Sequence, residues 1–169
     1  MPSRVEIHND KVVADNLMKI AEDLHGREMI RGMRRIVLTV LADAKRNAPV
    51  DTGRLRSGLN ASVERGSFKG IGVQGIVGVS SNVEYAPYME NGTGIFAGNA
   101  RHKFPPPSAF EGWAKRHNMN AFLVARAIYR AGGLKPRHFL KNALEKHEKN
   151  IHKTIGNTIK IIIRNHGFG

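Results

Sequence analysis

The chain carries eight histidines, a glycine-rich GIGVQGIVG stretch and a row of C-terminal lysines, and these are the residues whose types could do chemistry. A metal site needs ligands that converge, and helical sites favour histidines four apart or an HExxH frame. No two histidines here are four apart on a helix, and His147 and His152, five apart, point to different faces. With no cysteine there is no thiolate ligand, disulfide or thiol nucleophile, which fits a reducing cytosol. Gly70, Gly72 and Gly75 spell GxGxxG, but valines and isoleucines alternate between them. A phosphate loop must open a helix, so this spacing belongs to a strand. Ser57, Ser80, Ser81 and Ser108 lack a GxSxG turn, and Glu111, Glu145 and Glu148 are the only acids after residue 100. No residue set for acid–base or covalent catalysis is visible, so neither an enzyme nor a metal or cofactor is expected.

The lysines carry more information. Lys146, Lys149, Lys153, Lys160 and Arg164 fall within about 60° of one another on a helical wheel. Residues 1–50 hold nine Lys/Arg against seven Asp/Glu, residues 51–100 four against four, and residues 101–169 fourteen against three. The net charge of +13 therefore sits almost wholly in the C-terminal part. Such an excess suits a polyanion, or a solvated outer face. No aromatics are interleaved with the lysines and no helix-turn-helix signature precedes them, so the pattern fits duplex contact without sequence readout.

These residues must be positioned by a limited set of elements. The length and a hydrophobic fraction of 41% suffice for one domain with a core. No apolar run is long enough to span a membrane, and MPSRVEIHND has no signal-peptide core. Residues 12–24 read as a short amphipathic helix through Val13, Leu17, Ile20 and Leu24. Residues 27–47 read as a stronger one, with Met33, Ile36, Val37, Val40, Leu41 and Ala44 in one stripe and Pro49 beyond its end. Alternation over 59–65 and 71–79, with a turn at 66–70, predicts a hairpin. A helical turn is predicted at 87–91, a loop over 92–107, a short helix over 108–117 and an Asn-capped helix over 120–131. After Pro136 the spacing predicts a helix with Leu140, Leu144, Ile151, Ile155, Ile159 and Ile162 inward and the basic stripe outward. Gly156 and the β-branched run at 161–163 leave a terminal strand as the alternative there.

Three short blocks sit on this frame: APVDTGRLRSG (48–58), YAPYMENGT (85–93) and PRHFLKNAL (136–144). Their order resembles the head–tail neck, or tail-completion, proteins of long-tailed double-stranded DNA bacteriophages. Those proteins carry PVDTGxLRxS, YAxYxExGT and PxPFLxPAL blocks. The matching positions are Pro49, Asp51, Thr52, Gly53, Leu55, Arg56 and Ser57, then Tyr85, Ala86, Tyr88, Glu90, Gly92 and Thr93, then Pro136, Phe139, Leu140, Ala143 and Leu144. The resemblance runs from about Arg34 to Ile155. It departs where 94–135 intervenes with Trp113 and a helix, where His138 and Asn142 replace common prolines, and in the extra N-terminal helix.

The resemblance implies an α+β fold: a long N-terminal amphipathic helix, a small antiparallel sheet built on a hairpin, and C-terminal helices. It implies a homo-oligomeric ring without catalysis, in a virion assembled in the host cytoplasm. It also implies other neck or tail proteins as partners, with the DNA passing through. One domain over 1–169 is expected, with a helical extension (1–25), core helix and hairpin (26–93), insertion (94–135) and basic helix (136–169). Asp51 and Thr52 are expected to cap the turn after Pro49, with Gly53 permitting it. Arg54 or Arg56 is expected to pair with Glu90, and the loop 92–107, with Arg101 and Lys103, to meet a neighbour. The alternative function is a small basic DNA-binding protein without sequence preference.

Overall fold

The computed structural model describes residues 10–24, 26–68, 71–99 and 103–166. The fold is α+β: seven α-helices and one two-stranded sheet among the described residues. The chain divides into two compact units, each assembled from separated stretches: 1–43 with 60–78 and 144–169, and 44–59 with 79–143.

The first unit holds α1 (Asp10–Asp23), most of α2 (Arg27–Asn47), most of the hairpin β1 (Leu59–Phe68) and β2 (Ile71–Val79), and the long stretch of α7 (Phe139–Asn165). Helix α2 has the predicted bounds, and Ile36, Val37 and Val40 of its stripe are buried. The hairpin also forms, but β1 runs three residues past the predicted end, through Gly66. Of the glycines of β2, Gly75 is explained by packing, whereas Gly72 has φ 101° and a Cβ on Gly78 would meet nothing within 4 Å. A Cβ on Gly75 would overlap the Met33 sulfur and a Val37 methyl group, so this strand lies too close to α2 for any side chain there. Helix α7 approaches α2 the same way: a Cβ on Gly32 would lie 2.6 Å from the Thr158 hydroxyl. Buried Thr158 donates that hydroxyl to the Thr154 carbonyl, so it is not an orphaned polar group.

One predicted surface of α7 is corrected. Its most covered line runs through Phe139, Ala143, His147, Ile151, Ile155, Thr158 and Ile162, whereas Leu144 is 55% exposed. Steps of four advance about 40° around a helix. The covered face at the start of α7 is therefore not the face covered at its end, and a straight stripe drawn back from Ile162 wrongly takes Leu144 inside. Helix α1 also forms as predicted, but Val13 and Leu17 of its apolar side are exposed, as are Val12 and Met18.

The charged link between α2 and α7 is a cluster that the sequence did not announce. Asp43 is 4% exposed and accepts from His147 Nε2 at 2.5 Å, with Lys146 Nζ at 2.8 Å. A buried carboxylate is tolerable only when such partners replace its lost water. Replacing His147 with Ala should cost roughly 2 kcal/mol in urea unfolding, because Asp43 keeps its burial and loses its nearest donor. A Lys146→Gln variant should cost less, because that side chain is 60% exposed.

Candidate functional site

The second unit contains all three blocks except Leu144, the final residue of the third. It is built of α3 (Arg54–Gly58), α4 (Ala86–Asn91), α5 (Glu111–Arg116), α6 (Ala121–Arg130) and two short 3-10 turns (Gly94–Ala97, Pro107–Phe110), with the ends of α2 and α7. The predicted Asn cap is present: the Asn120 side chain accepts from the N–H groups of Phe122 and Leu123. The predicted loop over 92–107 is partly ordered by the first 3-10 turn; Arg101 lies outside the described residues, and Lys103 is exposed.

The first block is a turn with three fastenings. Gly53 starts α3 in the left-handed region, at φ 79°, and the Thr52 hydroxyl accepts weakly from the Arg54 N–H at 3.4 Å. Leu55 is buried, and Arg54 donates to the Asn82 carbonyl. The Gly58 carbonyl accepts from both the N–H and the hydroxyl of Ser80. Asp51, expected as a cap, is used elsewhere. Its carboxylate receives the Arg116 guanidinium through two nitrogens, and His117 Nε2 lies 3.2 Å away. The His117 ring stacks on Trp113, with centroids 4.2 Å apart. The Arg116 hydrogen bond, helped by His117, holds the Asp51 carboxyl below its ordinary range, and the same bond raises Arg116.

The second and third blocks are joined to each other and to the end of α6. Glu90 makes no ion pair with Arg54 or Arg56. Its two carboxylate oxygens accept from the backbone N–H groups of Leu140 (3.0 Å) and Lys141 (2.9 Å). A helix leaves its first N–H groups without internal partners, and a carboxylate there also meets the positive end of the helix dipole. Glu90 is thus the cap of α7, supplied from fifty residues away in sequence. Backbone bonds continue the seam: Arg137 N–H to Met89 O, His138 N–H to Glu90 O, Thr93 N–H to Leu134 O and Ile95 N–H to Gly132 O. The Thr93 hydroxyl accepts from the Leu134 N–H. Gly94 and Gly133 must be glycine here: both have positive φ, and a Cβ on either would strike a backbone carbonyl across the seam.

This seam also accounts for a departure from the family pattern. His138 has φ 49° and donates its N–H, and the Asn142 N–H donates to the His138 carbonyl. Proline fixes φ near −65° and has no N–H, so neither position suits it in this chain. Beside the seam, Val79, Ser80, Val83, Pro87, Asn91 and Leu140 help line an open groove of about 370 Å³. Tyr88 is 58% exposed, and Tyr85 and Arg56 also face solvent. Among the described residues no group of three histidines or carboxylates could hold a metal. The site is a set of fastenings with an aromatic and basic exterior.

Residues 11–92 match the model of the family described as "Bacteriophage HK97-gp10, putative tail-component". The match fits a phage neck and tail family. It covers the first block and the second as far as Gly92, and the third, beyond it, is tied to the second through Glu90. No curated protein and no solved structure matches the chain. The family points to a structural phage tail component and hence a place in the virion. Sequence reasoning missed Arg116, His117, Gly132 and Leu134 as partners of the blocks. The glycine pair at 132–133 was the one signal available, and it read as a helix stop.

Two outcomes are expected. Glu90→Ala should lower unfolding stability by about 1–2 kcal/mol through loss of the cap, with Glu90→Gln losing less. Asp51 contributes stability above the ordinary carboxylate range and loses it as pH falls through its depressed value. The stability gap between wild type and Asp51→Asn, followed by urea titration, should therefore close with acidification from neutral pH to about pH 2.

Proposed function

We propose that this chain is a structural assembly protein of a phage neck or of the proximal end of a phage tail. It completes the tail and joins it to the head around the DNA path, as a homo-oligomeric ring. The observation that carries the reading is the joining of the second and third blocks through Glu90 on the α7 terminus. The residues that resemble the phage family are thus spent on holding one shape, with no reactive set among them, which suits a protein whose product is an assembly. The family match over 11–92 supports the tail assignment. Tyr85, Tyr88 and Arg56 are among the exposed members of the blocks and are the candidates for contact with neighbouring neck or tail proteins.

The basic face of α7 is the candidate for the DNA path. Lys149, Lys153, Lys160 and Arg164 are exposed, and Lys146 is drawn to Asp43. Charge without base-reading side chains suits a duplex that must slide past. Replacing Lys149, Lys153 and Lys160 with Gln should leave the melting temperature within about 2 °C and reduce genome retention or passage in complemented particles. A triple variant that fails to fold makes the face structural.

Native mass over a concentration series at low and high salt, with negative-stain images, tests the ring. A closed ring with a central hole is the expected result. A salt-stable dimer that coats duplex DNA would instead favour a small basic DNA-binding protein.

A further inference from the structure

The outward face of α6 is unusual for a helix end-capped and anchored like this one. Val124 and Ala125 are buried, while Phe122, Leu123, Arg126, Tyr129 and Arg130 are exposed and fall within about 120° of one another. Phe104 extends the patch, with its ring 5.7 Å from Phe122 and 5.5 Å from Tyr129. Aromatics and arginine without acids are the composition of a protein-binding surface. Residues 101–137 hold eight Lys/Arg and one acid, Glu111, so the partner surface must be acidic as well as apolar.

The same chain supplies such a surface. Helix α1 holds four acids, Asp10, Asp15, Glu22 and Asp23, against Lys11 and Lys19, and of the acids Asp23 is already held by His166 at 2.8 Å. Its Val13, Leu17 and Met18 are exposed, and Met18 at 69% is the most exposed large apolar residue among the described residues. Asp15 is exposed on the Met18 side of the helix. An element of net negative charge with bare apolar residues is anomalous in a protein of net charge +13, unless something basic and apolar covers it.

We infer that α1 of one copy docks on the Phe104–α6 face of the next copy. Leu17 and Met18 meet Phe122 and Leu123, and Asp15 meets Arg126 and Arg130. Two different surfaces joined in this way make a heterologous contact, which repeats from copy to copy and closes into a ring when the rotation allows. The inference rests on the ring reading above and names the surfaces that would form it. It also gives the insertion 94–135, which lies outside the family match, a purpose.

The absence of cysteine makes the contact directly testable. Met18→Cys and Leu123→Cys each introduce a single thiol at an exposed position. The two purified full-length variants are mixed, oxidised and run on a non-reducing gel, beside native mass measurements of the same mixture. A mixed M18C–L123C dimer, in excess over either homodimer, is expected. Its yield should fall about tenfold when Arg126→Glu and Arg130→Glu are added to the L123C chain, with melting unchanged. An assembled oligomer without the mixed cross-link overturns this contact and leaves the ring reading standing. A chain that stays monomeric and uncross-linked at every concentration overturns both.

Discussion

A helix must begin somewhere, and its first N–H groups must find acceptors. In this protein that requirement is met for α7 by Glu90, a residue of another block, held in place by the two backbone bonds from Arg137 and His138 to the carbonyls of Met89 and Glu90. The cap does more than satisfy two donors. It fixes which residue starts the longest helix of the chain, and so the rotational phase with which Phe139 and Ala143 are buried. One residue of slip would turn every side chain of α7 by about 100°. Much of the second unit can be understood as support for this one joint, through the glycine seam at Gly94 and Gly133 and the Thr93–Leu134 pair.

Within the first unit the same helix is held by a different logic. Small residues allow backbones to approach, as at Gly75 under Met33 and Val37 and at Gly32 against Thr158. Side chains are then few and closely fitted, and the polar groups left inside must be paired. Asp43 with His147 and Lys146 is that pairing. Buried charges of this kind add little to stability when complete and cost much when broken, so they select one arrangement of α2 and α7 over near neighbours.

Function follows from what these constraints leave outside. The fastenings are internal, and the exterior presents tyrosines, an aromatic and arginine face on α6, an apolar and acidic α1, and a basic face on α7. A tail component acts by fitting neighbours, so surfaces of distinct chemistry on one chain suit it better than one pocket would. Three of the chain's acid–base groups are held by structural partners: Asp51 by Arg116, Glu90 by a helix terminus, His147 by Asp43.

The sequence by itself determined the elements. The bounds of α2 and β2 follow from periodicity and from Pro49, the Asn120 cap from one side chain, and the phage-family resemblance from three ordered blocks. These are local properties, set by spacing along a few turns of chain. Only the tertiary structure decided the partners. Nothing near Asp51 in sequence distinguishes a cap from a partner for Arg116, because a carboxylate serves either role and the choice depends on which cation arrives from sixty-five residues away. Glu90 could equally have met an arginine; an uncapped helix end is the stronger claim on it, since backbone N–H groups cannot turn away to water as an arginine can. The burial of α7 was misread at Leu144 for a related reason. Periodicity gives the phase of a stripe, but where that stripe is covered depends on neighbours that the helix meets only after folding.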